Sequence, residues 1–338
     1  MHMADALLSP AVAGTMYVCS SVAAGYSVKK IRQEEYEKKL PTMGVMGAFV
    51  FAVQMINFTI PGTGSSGHLC GGMLLSSILG PEAGFLTMIG VLLVQCLLFA
   101  DGGILALGAN IWNMAFYGCF FGGMILWKQI MKKKISKKRI IVASIAGSIL
   151  SLQLGAFSVT LQTLASNITE LPFPVFLATM QPIHLAIGSV EGIITAVVLV
   201  FIYETRPELL WNYKENDKKK DCLSYKQVII VFAALAIVIG GLLSLVASAN
   251  PDGLEWSMER VAGTQELEKE GGIYTLTKYI QSITSFFPDY AWKQSESITG
   301  TIFSGVFGGI IVIIVCTAFC FMLKFFRKKQ GRNEKRHE

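Results

Sequence analysis

Apolar residues fall into nine runs, near residues 8–28, 42–60, 67–80, 83–100, 104–127, 140–162, 178–203, 226–248 and 300–323. Most are long enough for a helix to cross about 30 Å of hydrocarbon, and polar or basic stretches separate them. The pattern predicts an all-α fold, a polytopic membrane helix bundle. The third run is short and glycine-rich, which suits a half-span or a closely packed helix. Seven runs end near residue 205, and a polar, lysine-rich stretch from Asn212 to Lys226 follows. Then come one run, a long polar loop over 249–299, a last run and a basic tail. The chain is thus expected to divide into a seven-span module (1–205), a basic linker (206–226) and a two-span C-terminal hairpin (227–338).

Charge orients these spans. Of the 29 Lys and Arg residues, 25 lie in segments 29–41, 128–139, 205–226 and 324–338. With nine spans all four segments fall on one side, and Arg260, Lys269, Lys278 and Lys293 fall on the other. Positive charge marks the cytoplasmic side, so the N-terminus is expected outside and the C-terminus inside. Eight or ten spans would scatter the basic loops over both faces. The outer face then carries eleven acids against four basic residues, and the inner face 25 basic residues against eleven acids. The net charge of +6 is therefore a topology signal and not a nucleic-acid footprint. Composition agrees: 52% of residues are hydrophobic and 15% charged, against about 25% charged in soluble domains. The opening Met-His-Met-Ala-Asp has no basic n-region and no small-residue cleavage site follows, so the mature chain is expected to begin at Met1. The seven cysteines show no C-x-x-C spacing and read as small buried hydrophobes.

Candidate chemistry gathers on the outer face. Histidine occurs at positions 2, 68, 184 and 337. His337 lies in the basic tail, and the other three map to the outer ends of spans. An N-terminal Met-His supplies three nitrogens in succession: the α-amine, the His2 amide and the His2 imidazole Nδ1. Binding through all three closes a five-membered and then a six-membered ring, which suits tetragonal Ni(II) or Cu(II). His68, in the loop Pro61-Gly-Thr-Gly-Ser-Ser-Gly-His-Leu, is the natural fourth donor if residues 1–8 tuck into the bundle. Gly62 and Gly67 have the spacing of a phosphate loop, but His68-Leu69 replaces its Lys and Ser/Thr, and no strand is expected before it.

Polar residues within spans are costly and often functional. Asn110 and Asn113 share one face near the outer end of the fifth run. His184 and Glu191 share one face of the seventh. Either pair would orient His68 from behind or tie helices together.

These residues carry a resemblance. Met1-His-Met-Ala-Asp-Ala-Leu-Leu-Ser, Gly62-Thr-Gly-Ser-Ser-Gly-His-Leu-Cys-Gly-Gly, Leu107-Gly-Ala-Asn-Ile-Trp-Asn-Met and His184 through Glu191 resemble the CbiM/NikM substrate-binding components of energy-coupling factor transporters for cobalt and nickel. Asn250-Pro-Asp-Gly-Leu-Glu-Trp looks like the PDGLE signature of the CbiN/NikN accessory subunit, here fused. The resemblance implies metal held by Met1, His2 and His68. It also implies a transmembrane coupling subunit and two cytoplasmic ATPase subunits as partners in a prokaryotic plasma membrane. Ni2+ or Co2+ would be the transported substrate, with no organic cofactor and no enzymatic activity in this chain. Ala4 and Ala6 depart from the family's Met-His-Ile-Pro-Asp-Gly opening. Of the hairpin motif, Asp252, Gly253 and Glu255 are candidates for shaping the N-terminal segment or guiding cations. An autonomous channel or carrier would need a line of ionisable groups across the membrane, and only Glu191 is clearly buried. A membrane metal sensor would need a cytoplasmic signalling domain, and the inner loops are short.

Overall fold

The computed structural model describes residues 1–31, 33–214, 222–293 and 298–337. Residues 215–221 of the expected linker, and the side chains of the basic tail with His337, lie outside the described residues.

Helices form over the apolar runs because internal hydrogen bonding is the one way a single segment satisfies its backbone in lipid. They are α1 (Pro10–Lys30), α2 (Gln33–Gln54), α3 (Gly72–Leu79) and α4 (Pro81–Phe99). A fifth, α5, starts as Leu107–Asn110 and is π-wound over Ile111–Trp127 before Lys128–Ile130. Next are α6 (Lys137–Ser166), α7 (Phe173–Thr205) and α8 (Tyr225–Gly241). The loop after α8 adds α9 (Gly253–Ala262) and α10 (Gly272–Thr284), and α11 (Ile298–His337) follows. Among the described residues, five helical stretches are long and apolar enough to cross a membrane: Pro10–Lys30, Pro81–Phe99, Lys137–Ser166, Phe173–Thr205 and Thr299–Phe319. The protein is a multi-pass membrane helix bundle.

Local signals set the ends. Ser9 accepts the amide of Val12, with Pro10 next in the first turn, so α1 starts there. Ser224 with Gln227, and Asp252 with Glu255, form reciprocal capping boxes that start α8 and α9.

The third run is the exception. Its helix has eight residues, a rise of about 12 Å, well short of a crossing. Before it the chain is extended: Phe58–Ile60 (β1), at the end of the second run, pairs antiparallel with Ser65–Gly67 (β2), which reaches the first residue of the third, Thr59 opposite Ser66. Residues 68–71 then lead down into α3. At the far end of α3 the Trp211 amide donates to Ser77 O at 2.9 Å, so the segment still reaches the opposite end of the bundle.

Extended backbone at this depth needs polar partners that a helix supplies itself. Two buried side chains provide them. Glu191 accepts from the amides of Cys70 (2.8 Å) and Gly71 (3.1 Å), and Gln54 Nε2 donates to Cys70 O at 2.8 Å. Gly71 starts α3 at φ +79°, a left-handed conformation that glycine adopts without strain. Small residues also let α3 and α5 touch: a Cβ at Gly118 would sit 2.8 Å from Gly72 Cα.

Candidate metal centre

The first eight residues run into the bundle rather than over it. Met1 and Met3 are 4% and 0% exposed, and Leu7 and Leu8 are buried behind them. Asn110 holds this segment like a partner strand. Its Oδ1 accepts from Met3 N at 2.7 Å and its Nδ2 donates to Met3 O at 3.1 Å. Asn113 reaches Met3 Sδ at 3.4 Å and pairs reciprocally with Gln162 at 2.8 and 2.9 Å. Both asparagines therefore seat the N-terminal segment and make no bond to His68. Asp5 ties the same segment on two sides, accepting from Ala106 N (3.0 Å) and from Thr277 Oγ1 on α10 (2.6 Å).

This seating places the Met1 amine 3.1 Å from His68 Nε2. His68 Nδ1 lies 3.0 Å from Leu69 O, a pure acceptor, so Nδ1 carries the proton and Nε2 offers its lone pair. Burial, with the neighbouring ammonium, lowers the His68 pKa to about 3 and keeps the ring neutral. The amine also donates to Asp252 Oδ2 at 2.6 Å. Burial, the largest influence, would lower its pKa, but the Asp252 carboxylate and the further charges around it together raise it above its ordinary 8.0. Conversely, burial opposes ionisation of Asp252, and the ammonium overcomes it, so its pKa lies below the usual carboxylate range.

His2 stacks on His68, ring centroids 5.2 Å apart at 22°. Its Nδ1 meets Asp101 Oδ1 at 3.0 Å and its Nε2 meets Gln95 Oε1 at 3.2 Å. Tyr290 braces this pair, donating to Asp101 Oδ2 at 2.6 Å and accepting from Gln95 Nε2 at 3.3 Å. Asp101 keeps its charge despite burial because His2 and the Tyr290 hydroxyl face it. A metal taking His2 Nδ1 would displace Asp101 from it.

The two remaining sequence candidates lie behind the loop. Glu191 meets the backbone two and three residues past His68, as described above, and so holds the loop rather than the imidazole. His184 bonds Met180 O on its own helix at 2.8 Å and makes no contact with His68. In Glu191→Gln an amide NH2 would face a backbone N–H it cannot accept. We expect about 1–3 kcal/mol lower stability and weaker metal binding, read by thermal denaturation and titration calorimetry.

Asp252, Gly253 and Glu255 are drawn into the same place. Asp252 Oδ1 caps α9 through the amides of Leu254 and Glu255, which leaves Oδ2 for Met1. The hairpin backbone lies along β2, with Ser66 N donating to Pro251 O at 2.7 Å and Trp256 Nε1 to Thr63 O at 3.0 Å. Burial, then repulsion from Asp252, pushes the Glu255 carboxyl up to about 6. Above His2 and Asp252 a cavity of about 350 Å³ opens outward, lined by Asp5, Asp101, Glu255, Glu266 and Asp289 among others. Such an acidic antechamber concentrates cations.

Asp5, Gln95, Asp101, Thr277 and Tyr290 are absent from the sequence candidates. The one signal was local: Asp101-Gly102-Gly103 sets an acid and two glycines between apolar runs. At Gly103 any Cβ would overlap the Asp5 carboxylate. Among the described residues no three His, Cys, Asp or Glu side chains converge as a metal site. A metal here would have to draw on main-chain nitrogen.

The bundle and this nitrogen-lined, carboxylate-backed pocket define a multi-pass membrane protein with a cluster of nitrogen and carboxylate groups at one end. Residues 2–209 match the family model for the cobalt uptake substrate-specific transmembrane region, CbiM, and residues 226–325 match the PDGLE domain. The chain belongs to the CbiM family, with a PDGLE domain fused behind. It is 34% identical over 313 residues to a putative fused nickel transport protein NikMN of Archaeoglobus fulgidus, covering 93% of this chain and 96% of that one. It is 27% identical over 333 residues to a probable fused nickel transport protein LarMN of Lactiplantibacillus plantarum, with the same coverage. A solved structure described as a truncated transition metal transporter superposes with a TM-score of 0.51 at 30% identity, over 60% of this chain and 99% of that one.

Proposed function

We propose that this chain captures divalent nickel or cobalt at its outer face as the substrate-specific component of an importer energised by separate subunits. One observation carries the reading: the Met1 amine sits 3.1 Å from the lone pair of His68 Nε2. In a planar set built from fused five- and six-membered rings, the His2 amide is central and the fourth donor neighbours the amine. Neighbouring nitrogens on one ion, with bonds of roughly 2.0 Å, lie about 2.8 Å apart. The separation therefore needs little adjustment for an ion to enter between them.

In the metal-free site the amine holds a proton that points at His68 and is stabilised by Asp252. A metal ion would replace that proton, take His2 Nδ1 from Asp101 as the proton between them leaves, and take the His2 amide nitrogen as its N–H proton is lost to solvent. Asp101 and Asp252 then remain as uncoordinated counter-charges beside the ion. The hairpin's part is to hold the N-terminal segment, through Asp252 on Met1, Thr277 on Asp5 and Tyr290 on Asp101. The nickel transport proteins among the fused relatives favour nickel as the cargo.

The energy source would be two cytoplasmic ATPase subunits acting through a transmembrane coupling subunit. The chain's glycine-rich loop lacks the Lys and Ser/Thr of a phosphate loop, which supports this division of labour. The test is metal titration of the purified chain before and after acetylation of its amine, with His2→Ala beside it. Both changes should abolish stoichiometric high-affinity binding of Ni2+ and Co2+; intact binding in either would overturn the chelate. Uptake by cells lacking any coupling subunit or ATPase would instead identify an autonomous carrier.

A further inference from the structure

His184 is buried beneath this site with one nitrogen unaccounted for. Its Nδ1 donates to Met180 O at 2.8 Å, so Nε2 carries a lone pair. The residue is 1% exposed, and Nε2 has no hydrogen-bond partner among the described residues. Buried polar atoms of this kind are normally satisfied, by protein or by ordered water.

The surroundings indicate what satisfies it. His184 borders a cavity of about 10 Å³ whose walls include Met1, His68, Asp252 and Gly253. That is roughly the room for one water, and its walls are polar enough to hold one. The hairpin forms the lid. A Cβ at Gly253 would stand 3.0 Å from His184 Cε1 and 3.3 Å from Nε2, so only glycine lets α9 settle on the ring without displacing it.

The chemistry of the amine supplies the other half. A protonated amine has three N–H bonds, one toward His68 and one toward Asp252. When a metal replaces the proton facing His68, two N–H bonds remain. Asp252 takes one, and the second needs an acceptor on the side of the cavity.

We propose that His184 is a positioning residue for the metal-bound amine, its Nε2 accepting from the second N–H through one water held in this cavity. The inference rests on the N-terminal chelate described above. With both N–H bonds anchored, rotation about the amine's bond to Cα is blocked and its lone pair points at the ion. Without His184 the amine turns between several orientations, and only one of them coordinates.

The test uses the purified full-length chain, Ni2+ and Co2+ as probes, and the variants His184→Leu and His184→Gln. His184→Leu should weaken binding about 10–100-fold, the usual effect of losing an outer partner of a ligand. The ligand-field absorption of the bound ion should shift, while the metal-free melting temperature stays level or rises. His184→Gln keeps an acceptor and should recover most of the affinity and the spectrum. Wild-type affinity in His184→Leu, or equal losses in both variants, would overturn the proposal. So would a loss matched by a lower metal-free melting temperature, which assigns the ring to packing. His2→Ala run alongside separates the two readings. If it binds like wild type, the chelate and this inference fall together. If it abolishes binding while His184→Leu behaves as wild type, only this inference falls.

Discussion

His68→Ala is expected to lower affinity for Ni2+ and Co2+ by more than about 100-fold, beyond the 10–100-fold that loss of an outer partner brings. Of the four proposed nitrogens it is the only one outside the first two residues. Its removal opens one corner of the plane, and the carboxylate nearest to hand, Asp252, is 3.9 Å from the vacated nitrogen and already committed to the amine and to α9. The fold should tolerate the change. The loop is held by Glu191 on Cys70 and Gly71 and by Pro251 on Ser66, and none of these bonds involves the imidazole. Calorimetric titration beside a melting curve separates the two effects. A melting temperature near wild type with unchanged affinity would place the fourth donor elsewhere.

Asp252→Asn should have the second largest effect, and it is visible in pH dependence. Asparagine is nearly as good a helix N-cap as aspartate, so α9 keeps its start while the charge disappears. In the wild type the amine's pKa stands above 8.0 because Asp252, with Cys70 and Asp101 adding to it, together outweigh burial. The sign follows directly. The pair's stabilisation is complete between the ordinary Asp252 value of 3.8 and the ordinary amine value of 8.0; it is lost as pH rises through the amine's raised value, and again in acid as Asp252 protonates. Asp252→Asn should therefore cost stability at neutral pH, on the order of 2 kcal/mol, and abolish the alkaline loss seen in the wild type. Burial then meets much weaker opposition, and the amine's pKa falls. Metal binding near neutrality, which releases the amine's proton in the wild type, should release fewer protons in the variant. Titrations in buffers of differing ionisation enthalpy count them; equal release in both proteins would refute the pairing.

Much of the fold was legible because lipid leaves few options. Long apolar runs must be helices, and their spacing separated the early module from the hairpin. The third run shows the limit. Composition marked it as short and glycine-rich, yet its non-helical start depends on Glu191 and Gln54, which come from α7 and α2 and bond Cys70 and Gly71. Periodicity within residues 67–80 carries no record of those acceptors and donors.

The site divides the same way. Met1 and His2 were readable since their ring-forming potential is local to two residues, and His68 through its glycine-rich setting. Asp252 stands out in the sequence only through the hairpin motif, as a candidate for shaping the N-terminal segment or guiding cations. In the fold its side chain is 13% exposed and meets an amine 251 residues away. Tyr290 on Asp101 and Thr277 on Asp5 span 189 and 272 positions. No local spacing encodes contacts of that range.

By itself, then, the sequence determined where the long apolar segments lie and which residues carry nitrogen donors near the chain's start and in the glycine-rich loop, because both follow from short-range chemistry. Tertiary structure decided how the outer face is used. Folding the hairpin's loop over the chain's start sets Asp252 against the amine, Tyr290 against Asp101 and Thr277 against Asp5, and this partial burial turns Asp252 and Asp101 from solvated acids into fixed counter-charges beside the amine and His2.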